Sequence, residues 1–200
     1  VKSLIEYGCD VIATDISVTH IDKRARRLAC DLFTIDNPYA FFDNPDILLH
    51  LAWQDGFIHY SDSHINQLPN HYAFIKKMAS SDIKTIAVMG SMHEVGFYEG
   101  SIDELTPCHP ESFYGIAKNA LRDVTRLYCK QNHKIFQWLR GYYIVGNTEF
   151  GSSIFSKITA AVKEGKKKFP FTQGLNQFDF IDYDKFCEQV TLTVMQDEVN

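Results

Sequence analysis

Short apolar runs alternate with longer stretches of helical period along this chain, and that alternation leaves few folds open. Bounded runs rich in Val, Ile and Leu read as buried strands, and they fall near 11–15, 46–51, 84–90 and 135–142. Helices are expected between and after them, near 64–80, 112–132 and 152–164. Strands separated by helices cannot close as hairpins, so each return needs a crossover and the strands run parallel. The expected fold class is therefore α/β, a doubly wound parallel sheet with helices on both faces, and neither an internal repeat nor a linker interrupts it.

Composition narrows the partners. Two hundred residues with 45% hydrophobic content bury a sizeable core. No apolar run approaches the roughly 20 residues needed to cross a bilayer, so no membrane contact is expected. A formal net charge of −5, with one short basic cluster at 163–168 that reads as a solvated helix end, argues against nucleic acid. Cys9, Cys30, Cys108, Cys129 and Cys187 form no CxxC pair, which suits reduced thiols and a cytoplasmic location and offers no metal site. No signal-peptide pattern stands at the first residues.

Residues 1–8 read as a helix ending at Gly8, followed by a strand ending at Asp15. In a dinucleotide-binding βαβ unit that helix follows a strand and a GxxGxxG loop, whose glycines let the backbone approach a pyrophosphate. Neither precedes it here. The chain is thus expected to lack the first strand and the glycine-rich loop, along with some C-terminal substrate-binding segment.

Tyr114 and Lys118 stand four apart on one face of an expected helix, and Ser91 lies 23 residues upstream of Tyr114, at the end of an apolar run. A phenol holds its proton to about pH 10, and a cation one turn away favours the phenolate. Such a tyrosine exchanges a proton with an alcohol or ketone, while a serine hydroxyl grips the same oxygen and a cofactor exchanges hydride. A Tyr and a Lys four apart also occur by chance on many surface helices, so the surroundings decide.

Those surroundings are IAVMGS at 86–91, Asp103, Glu104, Pro107 and Pro110, and SFYGIAK at 112–118. Together they resemble the extended short-chain dehydrogenase/reductases, the family of nucleotide-sugar epimerases, dehydratases and 4-ketoreductases. The resemblance covers nearly the whole chain. It implies a Rossmann-like fold, with residues 1–145 as the NAD-binding domain and 146–200 as part of a small substrate-binding region. It implies Ser91, Tyr114 and Lys118 as the catalytic triad, with Tyr114 and Lys118 also touching the cofactor. Asp15 would accept the adenosine ribose hydroxyls and favour NAD over NADP, although taken alone it also reads as a strand-end turn aspartate. Asp31 and Leu32 would contact the adenine. The basic stretch with Lys23, Arg24, Arg26 and Arg27 leaves NADP open. Ala52 would let the backbone lie against the cofactor, with Trp53 pointing elsewhere. His50 reads as a satisfied strand histidine rather than a catalyst.

The family's dehydratases carry Asp-Glu directly after the hydroxyl residue, where this chain has Met92 and His93, so 4,6-dehydration is disfavoured. Ser91, His93 and Glu94 would face the sugar. LRGYYIVG at 139–146 resembles the family's Leu-Arg-x-Phe-Asn-Val-Tyr-Gly, with Tyr143 in place of the asparagine that helps hold the substrate diphosphate. DFIDYD at 179–184 resembles the segment closing the substrate side, and Asn147, Lys157 and Gln173 are pocket candidates. A homodimer through the helix carrying Tyr114 is implied. The expected activity is a nucleotide-sugar epimerase or 4-ketoreductase serving surface polysaccharide; the alternative is a non-catalytic dinucleotide-binding sensor or scaffold.

Overall fold

A computed structural model of the chain describes residues 1–146, 154–171, 173–175 and 177–198. Helix α1 (Lys2–Tyr7) stops at Gly8, whose φ of 103° is the left-handed conformation that lets its N–H turn back onto the Leu4 and Ile5 carbonyls. Strand β1 (Ile12–Asp15) pairs in parallel with β2 (Arg26–Ala29). After the short helix α2 (Pro38–Phe41) come β3 (Ile47–His50), α3 (Ser63–Ala79), β4 (Thr85–Ser91), α4 (Phe113–Gln131) and β5 (Ile135–Gly141). Strand β4 is central, parallel to β3 and β5, with Ser91 opposite Gly141 at its carboxyl end. Strand β6 (Tyr143–Val145), helix α5 (Ile154–Lys163), strand β7 (Phe180–Asp182) and helix α6 (Tyr183–Val194) complete the described elements, with β6 and β7 parallel. Among the described residues no strand joins β1 to β3, the place that a doubly wound order gives its first strand.

The two-residue period of a strand explains why the middle of β4, Ile86–Met89, is apolar on both faces. Ile86 and Val88 face the main core with Leu48, Phe136 and Trp138, against Ile75 and Met78 of α3 and Leu121 of α4. Ala87 points the other way, to Leu139 and to Val194 of α6, with Leu4 of α1 and Ile47 packed beside them. Each fully buried Ile, Leu or Met contributes roughly 1.5–3 kcal/mol, so the sheet is held from both faces. The Gln137 side chain donates to Thr193 O at 2.7 Å, which ties α6 to β5.

The expected strands and helices lie within two residues of the observed ones where those are described; residues 152 and 153 and the pocket candidate Asn147 lie outside the described residues. The doubly wound, Rossmann-like architecture is as the sequence implied. Sequence patterning missed β2, β6, β7, α2 and α6. Strand β2 reads RRLA, and its arginines pass for a loop because among the described residues it has no hydrogen-bonded neighbour besides β1 and Arg26 reaches out to Asp43. Among the described residues no helix is long and apolar enough to cross a membrane.

Candidate active site

The carboxyl end of β4 turns straight into a 3-10 turn, Met92–Glu94, because S-x-x-E at 91–94 forms a capping box. The Ser91 hydroxyl accepts from His93 N–H at 3.3 Å, and Glu94 Oε1 accepts from Ser91 N–H at 2.6 Å. Glu94 is fully buried, and its Oε2 accepts from Trp138 Nε1 at 2.8 Å and from Arg140 Nε at 3.3 Å. Burial pushes its carboxyl above the usual range, against the opposing pull of these donors. The expectation that Glu94 faces the sugar is therefore corrected. The capping geometry turns it inward, and both oxygens are taken by the protein.

Helix α4 is pressed against that turn. Ser112 caps it by accepting from Gly115 N–H at 3.1 Å, and a Cβ at Gly115 would lie 2.2 Å from the His93 carbonyl oxygen. Only glycine permits the approach. It brings Tyr114 against the turn that Ser91 opens, while the Tyr114 N–H donates to His59 O at 3.0 Å. Lys118, one turn further, is 2% exposed and donates from Nζ to Met89 O at 2.7 Å. The structure thus brings Ser91, Tyr114 and Lys118 together.

Protonation differs from the sequence expectation. Burial raises the Tyr114 phenol above its ordinary value, with the Ser91 hydrogen bond pulling the other way. Burial lowers Lys118 to about 7, with Glu94 opposing. The ammonium does not depress the phenol here, because it is engaged by the Met89 carbonyl and lies 6.0 Å from the Tyr114 ring centroid.

Sequence reasoning missed the aromatic wall beside this trio. Trp53 was expected to point away; instead its ring lies 6.0 Å from that of Tyr114, and Lys118 Nζ sits 3.9 Å from its centroid. His93 is half-buried with its ring 4.0 Å from that of His59 and 5.6 Å from that of Tyr114. Burial and the neighbouring His59 lower the His93 pKa. His50 is satisfied, as expected of a strand histidine: its Nε2 lies 2.9 Å from Nδ1 of His71, and both are buried. The available signal was the spacing of His64 and His71, seven apart and so on one face of α3.

The other expected residues spread along the same edge of the sheet. Asp15 ends β1, exposed, with Oδ1 accepting from Ile16 N–H at 2.6 Å. Asp31 follows β2 and caps the 3-10 turn Leu32–Thr34 through Phe33 N–H. Leu32 packs on the main core, and half-buried Ala52 follows β3. Arg24 is bound to Asp22 and Arg26 to Asp43, so these cations are occupied by carboxylates. Tyr143 stands apart, in an aromatic cluster with Phe178 at 4.7 Å and Phe180 at 5.6 Å. Lys157 and Gln173 are exposed.

Ligands of open α/β sheets bind outside the carboxyl ends of the strands, and Asp15, Ala52 and Ser91 all stand there. Comparison with known proteins agrees. The NAD dependent epimerase/dehydratase family matches residues 1–199. A dTDP-6-deoxy-L-talose 4-dehydrogenase (NAD(+)) of Aggregatibacter actinomycetemcomitans is 43% identical over 204 residues, covering 99% of this chain and 76% of that protein. Among solved structures, the UDP-glucose 4-epimerase of Thermotoga maritima superimposes with a TM-score of 0.81 at 18% identity, covering 99% of this chain and 70% of that one. The UDP-glucuronic acid 4-epimerase of Bacillus cereus gives 0.79 at 16%, over 98% and 69%. These two similarities concern the fold. The match along the chain and the 43% identical relative establish more: the chain belongs to the NAD dependent epimerase/dehydratase family.

Proposed function

We propose that the protein is an NAD-dependent oxidoreductase acting at C4 of a nucleotide-activated sugar, a 4-ketoreductase or, in reverse, a 4-dehydrogenase. The observation that carries this reading is the convergence of Ser91, Tyr114 and Lys118 at the carboxyl end of β4. The 43% identical relative, named for oxidation at C4 of a dTDP-6-deoxy sugar, supports the sugar class. The residues present fit the cofactor: a carboxylate closes β1, a small residue follows β3, and a buried cation lies beside the phenol. Asp15, Asp31, Leu32, Ala52, Tyr114 and Lys118 would hold it, and when bound it exchanges hydride with C4. Tyr114 exchanges the proton at the C4 oxygen, Ser91 orients that oxygen, and Lys118 holds the ribose beside Tyr114. The raised phenol stays protonated at neutral pH, the form needed to donate to a ketone. His93 lines the sugar side; Tyr143 and residues 146–200 would complete the pocket.

The test follows NADH absorbance while the protein turns over a panel of dTDP- and UDP-sugars and their 4-keto derivatives. Stoichiometric NADH loss with a 4-keto sugar is expected. Sugar conversion with no net cofactor change would replace the reading by an epimerase, and no conversion across the panel would replace it by a binding protein.

We also propose a homodimer through α3 and α4. Phe113, Ile116, Val124 and Leu127 leave an apolar stripe on α4 exposed by 39–52%. A charge in that stripe, Leu127→Glu, is expected to halve the mass seen in sedimentation equilibrium; a wild-type protein already monomeric at micromolar concentration would refute the interface.

A further inference from the structure

We propose that Trp53 is a positioning residue for Lys118: its indole face carries the ammonium and holds it at the carboxyl end of β4, one helical turn from Tyr114. This rests on the role given to Lys118 above. Three observations carry it. Lys118 Nζ lies 3.9 Å from the Trp53 ring centroid, well inside the roughly 6 Å reach of a cation–π contact. The same nitrogen donates to Met89 O at 2.7 Å, so the amine is held between a carbonyl and an aromatic face. The indole itself is anchored, because its Nε1 donates to His64 Nδ1 at 3.0 Å and His71 stacks on it at 4.4 Å with an interplanar angle of 16°.

The anchor determines a tautomer. His64 Nδ1 accepts from Trp53, so the hydrogen of neutral His64 is on Nε2, which lies 3.0 Å from the Ile58 carbonyl. His64 therefore ties the indole to the loop that closes beside Tyr114. His71 is braced in turn by His50 at 2.9 Å and by the Phe33 ring edge at 4.8 Å. A residue placed only to fill space needs neither a defined tautomer on its N–H nor a stacked ring. An ammonium has three donors, and Met89 takes one. The indole attracts the charge without consuming the others in directed bonds, which leaves them for a hydroxylated ligand. Leucine in place of Trp53 would fill volume but leave the amine free to swing.

The test separates this contact from the activity it serves. In protein labelled with carbon-13 at lysine Cε and free of cofactor, the Lys118 resonance, assigned by its loss in Lys118→Met, is expected upfield under the indole ring current. Trp53→Leu should return it to the ordinary lysine position, and Trp53→Phe should keep part of the shift. In steady-state assays Trp53→Leu is expected to lower kcat/KM for the dinucleotide about tenfold, with KM for the sugar changed by less than about twofold and Trp53→Phe recovering most of the loss. An unshifted Lys118 resonance in the wild type, or a folded Trp53→Leu with wild-type dinucleotide kinetics, overturns the proposal. Should Trp53→Leu not fold, Trp53→Phe decides: loss of both the shift and the activity to the level of Lys118→Met would show that the indole N–H, not the ring face, sets the site. An active Lys118→Met with the ring shift present in the wild type would instead sink the assigned function while leaving the contact intact.

Discussion

Tyr114→Phe is expected to lower turnover of a 4-keto nucleotide sugar about a thousandfold or more, while the dissociation constant for the sugar changes little. The argument starts from what the substitution removes. Phenylalanine keeps the ring that packs against Trp53 at 6.0 Å and His64 at 5.1 Å, so the wall of the site survives. Only the hydroxyl goes, and with it the proton donor beside Ser91. General acid catalysis by a positioned side chain is worth about 10²–10⁴ in rate, and the hydroxyl removed is the one that α4 sets against the turn opened by Ser91. The half-buried His93, whose backbone N–H donates to the Ser91 hydroxyl, is a candidate for a substitute, and its lowered pKa leaves less of the protonated form at neutral pH. Stopped-flow absorbance under single-turnover conditions isolates the hydride step, and titration calorimetry gives the binding constant. A variant retaining a tenth or more of wild-type turnover would remove Tyr114 from the chemistry. Loss of sugar binding in parallel with turnover would mean that the hydroxyl serves to hold the substrate.

Much of this site was legible in the sequence because local rules make it. The helix spacing of Tyr114 and Lys118 and the strand-end position of Ser91 follow from periods of 3.6 and 2, and both appear in the fold. Glu94 was also readable, as the fourth residue of a capping box, but the family resemblance drew it toward the substrate while the cap turned it onto Ser91 N–H. Trp53 and His59 were not readable, and the spacing of His64 and His71 marked a shared face of α3 without its place beside Trp53. They reach the site from a loop and from α3, and no local period connects residue 53 to residue 118. The Tyr114 protonation state was misjudged for a related reason: burial depends on what the rest of the chain puts around a group, and here it raises the phenol while the cation one turn away is engaged by Met89 O.

Gly115→Ala should damage both stability and catalysis, against what an interior helix position normally shows. Alanine in place of glycine in a helix ordinarily gains about 1 kcal/mol, since it restricts the unfolded chain and adds propensity. At Gly115 the new Cβ would stand 2.2 Å from the His93 carbonyl oxygen, 2.9 Å from its carbon and 3.0 Å from Pro110 Cβ. Two of those atoms are backbone, so no side-chain rotation relieves the contact; α4 must move off the 3-10 turn. Overpacking of this kind costs about 1–3 kcal/mol and here exceeds the propensity gain, which corresponds to a melting temperature lower by a few degrees, at about 2–4 °C per kcal/mol for a chain of this size. The larger consequence is catalytic. Tyr114 is the neighbour of Gly115 and Ser91 leads into the turn, so the displacement opens the distance between the two hydroxyls. A misplacement near 1 Å costs about a hundredfold in rate. Gly56→Ala supplies the control, since a Cβ there meets nothing within 4 Å and its φ needs no glycine. Thermal unfolding and kcat are to be measured on both variants. Gly115→Ala with a raised melting temperature and normal kcat would mean that α4 and the turn do not press together as described, and the placement of Tyr114 against Ser91 would fall with it.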